Sequence, residues 1–162
     1  MRLSRTVSRS AAALFALGAL LVAVCARAEG EIAIRSTQGS FDDVRSALVF
    51  AIENRGLVVS NVSHVGEMLE RTGRDLGSTG QIFERGDVLE FCSAALSRRV
   101  MEADPHTIAF CPYTIAVYVL PGEPGRVYLS YRRPLLPGGH KAAQPLEAVD
   151  LLLSEIVQEA LR

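Results

Sequence analysis

The chain has 162 residues, carries 17 Lys and Arg against 18 Asp and Glu, and has no tryptophan. It holds no basic run of five or more, which argues against nucleic acid or an anionic membrane surface as its main partner. Four arginines fall in the first 28 residues, leaving 13 basic residues against 18 acidic ones beyond them, about −5.

Those first residues read as a targeting segment. Arg2, Arg5 and Arg9 form a basic n-region, and "AAALFALGALLVAV" (Ala11–Val24) is an apolar h-region. Small residues in "ARA" (Ala26–Ala28) place signal-peptide cleavage after Ala28, for export to the periplasm or outside the cell. The apolar run is shorter than the roughly 20 residues of a membrane span, so no stable anchor is expected. Glu29–Arg162 then suits one domain with one core.

"EIAIRS" (Glu31–Ser36) alternates as a first strand. "SFDD" opens a helix, with Ser40 as cap and Asp42 and Asp43 at its positive end. Phe41, Val44, Leu48, Ala51 and Ile52 share one face, and Gly56 is its stop. "LVVSNVSHV" (Leu57–Val65) is a β-branched strand, followed by a short helix around Glu67–Arg71 capped by Ser63. Arg71–Gln81, with three glycines, reads as a mobile loop.

"DVLEF" (Asp87–Phe91) is strand-like, and Ser93–Ala103 is a helix that Asp104-Pro105 ends. Thr107–Leu120 reads as one long strand, with a bulge or a sheet edge at Pro112. "PGEPG" is a hairpin loop and Arg126–Arg132 the returning strand. From Pro145, Leu146, Val149, Leu153, Ile156 and Ala160 line the stripe of a final helix (145–161). This order predicts an α+β fold, helices packed on a largely antiparallel sheet.

The motifs "FDDVRSALVFAIENRGL", "VSHV", "ADPHTIAFCPYTIAVYV" and "VYLSYRRP" together resemble the family known as domain of unknown function 302, over about Ile34–Pro134. The shared places are Gly56, His64, the Cys111-Pro112 region and Tyr131-Arg132-Arg133-Pro134. Two departures stand out: "CSA" where many members carry Asn-Pro, and "FCP" where they carry Leu-Pro, which suggests a cysteine-bearing exported subgroup. The resemblance implies a curved antiparallel sheet and, in some members, a homodimer. It implies no settled activity and no known cofactor.

The chemistry rests on Cys92 and Cys111. A helix of about eleven residues carries the chain roughly 16 Å from Cys92, and the stretch before Cys111 returns it by a similar distance at roughly 3.3 Å per residue. The thiols therefore reach one level, and an oxidising compartment would pair them. Two other readings stay open. Cys92 at a helix start is a candidate reactive thiol. Alternatively Cys92, Cys111, His64 and His106 are candidate ligands for a soft metal ion.

No catalytic motif is recognisable. The leading expectation is a binding or accessory domain, holding a small ligand, metal or partner protein near His64, Cys92, Cys111 and Tyr113. The alternative is a thiol-dependent redox or sulfur-handling protein acting through the two cysteines. A third class is a disulfide-stapled dimer, whose contact would form at the edge near Pro112 or at the Arg126–Arg132 hairpin strand.

Overall fold

A computed structural model describes residues 32–78 and 80–162. The expected targeting segment with its cleavage site, Cys25 and Thr79 lie outside the described residues. Five strands are present: β1 (Ile32–Gln38), β2 (Val59–Ser63), β3 (Arg85–Phe91), β4 (Tyr113–Val119) and β5 (Arg126–Arg132). They form one antiparallel sheet in the order β1-β5-β4-β3-β2. Among the described residues four α-helices accompany them: α1 (Phe41–Glu53), α2 (Val65–Asp75), α3 (Ala94–Ala103) and α4 (Ala143–Ala160). The domain is α+β, as its element order predicts.

Helix α1 starts where local chemistry demands it. The Ser40 hydroxyl accepts the Asp43 N–H at 3.1 Å and donates to the Asp43 carboxylate at 2.6 Å. Its predicted inward residues, Phe41, Val44, Leu48, Ala51 and Ile52, are all buried. Gly56 follows the helix in the left-handed region at φ 70°, where a Cβ would strain the backbone.

Helix α4 buries its whole predicted stripe plus Val157 and packs against α1 and β5. These two helices cover the sheet face made by Leu89, Ile115, Val117, Val127 and Leu129. The opposite face carries a row across all five strands: Ile34, Ser130, Ala116, Val88 and Ser63. Ile34 is exposed there and the other four are half-buried.

Three expectations are corrected. The short helix after β2 runs on to Asp75, with Gly73 inside it, so the glycine-rich loop begins only at Leu76. Its cap position is held by His64 rather than Ser63, and no side chain caps it, because the imidazole is turned elsewhere.

The second correction lies between α3 and β4. Thr107–Phe110 belongs to a 3-10 helix, Pro105–Phe110, and not to a strand. Asp104 accepts the His106 N–H at 2.9 Å, and the Thr107 hydroxyl donates back to the Asp104 carbonyl. That local bonding outweighs the β-branched and aromatic content of the stretch. A 3-10 segment of six residues still returns the chain by about 12 Å.

Third, β4 and β5 are interior strands and the edges are β1 and β2. Neither the Pro112 end of β4 nor the Arg126–Arg132 strand is therefore an outer edge of the sheet. The N-terminal strand already occupies the far side of β5.

Candidate functional site

The predicted site residues divide between the two ends of β3. At its start, Asp87 stands in phase with Leu89 and Phe91, so its carboxylate is carried inward and is only 8 % exposed. A buried carboxylate needs partners, and it has two. Arg45 of α1 donates from Nε to one oxygen at 2.8 Å, and His64 bonds the other through Nδ1 at 2.8 Å.

Close packing positions the histidine. A Cβ on Gly66 would lie 2.8 Å from the Gly86 amide nitrogen, so only glycine lets the first turn of α2 seat against β3. His64 is thereby set beside Asp87 with its side chain 55 % exposed. His64 lines a cleft of about 260 Å³ together with Glu67 and Glu84, with Nδ1 engaged by Asp87. Its Nε2 is left for a further hydrogen bond. Among the described residues no group of three His, Cys, Asp or Glu is placed to hold a metal ion.

At the far end of β3, Cys92 and Cys111 are joined as a disulfide, with Cα atoms 6.6 Å apart. Ser97 of α3 is buried beneath them, its hydroxyl 3.4 Å from Cys92 Sγ and 3.9 Å from Cys111 Sγ. The Tyr113 hydroxyl lies 2.9 Å from Ser97 Oγ. Burial pushes the Tyr113 phenol above its ordinary range, and the Ser97 hydrogen bond offsets part of that. Cystine sulfurs can only accept, so any hydrogen bond between Ser97 and the sulfurs is donated by Ser97, whereas between Ser97 and Tyr113 either hydroxyl can donate. Cys92 is exposed and Cys111 half-buried.

The expected convergence of His64 on the sulfurs is not what the fold produces. Five residue steps of extended chain separate Asp87 from Cys92, roughly 16 Å. His106 is also apart, exposed at the start of the 3-10 helix. His140 reaches Asp104 at 3.3 Å through Nε2, while its Nδ1 accepts the Ala142 N–H at the start of α4. Asp87, Arg45 and Ser97 were missed in the sequence. For Asp87 a signal exists, since "DVLEF" puts an acid in register with two core residues.

Beside the disulfide the sheet opens. Strand β4 pairs with β3 over all of Tyr113–Val119, and β5 pairs with β1 over all of Arg126–Arg132. With each other they pair only from Ala116–Ser130 to Tyr118–Tyr128. Where that ladder stops, a cleft of about 460 Å³ opens. Ala116, Ser130 and Thr114 form its floor, Phe110 and Pro112 one wall, and Ile32 another. Leu153 of α4 also lines it, so the opening reaches between the strands to the helix layer. Tyr113 lines it too. Tyr118 and Tyr128 stack at 5.2 Å in the next row of the same face.

Comparison with known proteins agrees with this architecture. The family model "Domain of unknown function DUF302" matches residues 32–160. No curated protein matches the chain. A crystal structure of an uncharacterized conserved DUF302 protein from Bacillus stearothermophilus is similar at 16% sequence identity and a TM-score of 0.64. That likeness covers 82% of this chain and 98% of the other, and it shows the fold alone. Since the family model spans every strand and helix of the domain, the chain belongs to the DUF302 family.

Proposed function

We propose that this is an exported binding domain whose small-molecule ligand lodges in the cleft between the parted ends of β4 and β5, beside the Cys92–Cys111 bond. One observation carries the reading: two interior strands, each fully paired on its outer side, release one another beyond Ala116 and Ser130 and leave a cleft of about 460 Å³. That size falls within the range of small-ligand sites, and its apolar walls with a few hydroxyls match their usual chemistry. The disulfide supports the reading, because it ties the 3-10 helix that carries Phe110 to the end of β3. Export rests on the order of n-region, h-region and "ARA" and on a cystine suited to an oxidising compartment.

Native mass spectrometry of the protein purified from its own host tests both parts. The expected result is a chain beginning at Glu29 with a small molecule retained. The ligand reading is then checked by amide shifts at Ala116 and Ser130 against a small-molecule library. Silence at both residues across the library counts against it.

A second reading, thiol–disulfide exchange, is favoured by the exposure of Cys92. An incoming thiolate would attack Cys92 Sγ and Cys111 would leave as the thiolate, with the Ser97 hydroxyl 3.9 Å from its sulfur. Rapid equilibration with a glutathione buffer of known poise would support it. Resistance to that buffer would leave the bond structural.

A further inference from the structure

We infer that the cleft between β4 and β5 selects an organic anion: a small carboxylate with an apolar or aromatic body. This rests on the reading that the cleft holds a ligand, and it adds the ligand's charge.

Among the side chains that line the cleft, Arg132 is the single charged one, and no Asp or Glu joins it. Arg132 ends β5 on the same face as Ser130, by the two-residue period of a strand. The other arginines of β3 and β5, and the one just beyond, are each engaged: Arg85 with Asp42, Arg126 with Glu123, and Arg133 with Asp150. The guanidinium of Arg132 has no such partner among the described residues. Glu90, opposite Thr114 on β3, is engaged as well, accepting from Asn61 Nδ2 at 3.1 Å.

The sign of this cleft runs against the rest of the chain, where 18 acidic residues exceed the basic ones that follow Ala28. An anion is repelled by that general charge, so a place that offers one unpaired guanidinium and no carboxylate is where it would settle. A guanidinium presents two parallel N–H groups to a carboxylate, which fixes orientation as well as charge. Thr114 and Ser130 supply hydroxyls on the floor. Phe110, Pro112 and Ile32 cover an apolar body and leave no place for a second charge.

The test is NMR titration with three matched probes: phenylacetate, phenylacetamide and phenethylamine. Phenylacetate is expected to shift the Ala116 and Ser130 amides and to bind about tenfold tighter than the amide, the worth of one charge-assisted pair. Arg132→Gln should remove that advantage and Arg132→Lys should restore part of it. Arg132 is exposed, so both variants keep the wild-type melting temperature. If the amide or the amine binds equally well and Arg132→Gln changes nothing, the anion preference is overturned while the cleft remains a ligand site. If no probe moves Ala116 or Ser130, or light scattering shows a dimer that buries Ile32 and Ile34 and excludes every probe, both readings fall.

Discussion

Asp87 and His64 are held 2.8 Å apart, carboxylate oxygen to Nδ1, by two segments that meet only because Gly66 allows it. The other Asp87 oxygen is taken by Arg45, so one carboxylate ties α1, β3 and the start of α2 together. Asp87→Ala should therefore destabilise the domain by about 2 kcal/mol, between the cost of breaking a buried pair and the near-zero worth of an exposed one. The Arg45 side chain is about a third exposed, which keeps the loss below the buried limit. Urea denaturation measures it. Imidazole ¹⁵N shifts should also show His64 losing its fixed tautomer.

Gly66→Ala tests the same junction from the backbone side. The added methyl would meet the Gly86 nitrogen at 2.8 Å, a contact backbone cannot yield cheaply. A loss of about 2 kcal/mol is expected, in the range of overpacked sites. Gly80→Ala is the control, since a Cβ there meets nothing within 4 Å. Equal melting temperatures for the two variants would contradict the argument.

Reduction of Cys92–Cys111 releases a crosslink spanning 19 residues. The unfolded chain gains freedom worth about 3 kcal/mol in the loop-entropy model. Melting with and without reductant should show that loss, and Cys92→Ser should reproduce it with the wild-type spectrum kept. Ser97→Ala should cost less, because it removes one hydroxyl and leaves Tyr113 without its partner.

Alkaline pH should weaken the fold. Burial raises the phenols of Tyr113, Tyr118 and Tyr131 above the ordinary 10.0. An acid whose folded-state pKa is raised loses its proton first in the unfolded chain. Its contribution is full below pH 10 and is lost as pH rises through the folded value. Urea midpoints should therefore hold level up to about pH 10 and fall beyond it. Tyr113→Phe should make the fall shallower. A decline unchanged in that variant would remove Tyr113 from the account.

Much of the fold was legible because it is local. Ser40 and Asp43 sit three residues apart, and the stripe from Leu146 to Ala160 repeats at helical spacing. The 3-10 helix was hidden because Thr107, Ile108 and Phe110 have strand-forming side chains, while Asp104 and Pro105 decide the backbone. The two cysteines were found from segment lengths even though one segment was assigned the wrong form. The histidine's partner was not found. Asp87 meets His64 across 23 residues of sequence, and long-range pairing leaves no periodic trace. The cleft was invisible for a similar reason, since it depends on where two strands stop pairing rather than on what either contains.

The placement of β1 governs how the chain reaches this state. Among the described residues its only sheet neighbour is β5, and α1 packs against α4. The first two described elements thus wait for the last two before they find their sites. Closing so long a loop early would cost entropy with nothing yet gained, so assembly is non-local and slow compared with a helical bundle of equal length. A chain that ended at Pro137 would leave Leu48 and Ile52 without the helix that covers them. Such a chain would expose core side chains and be open to association.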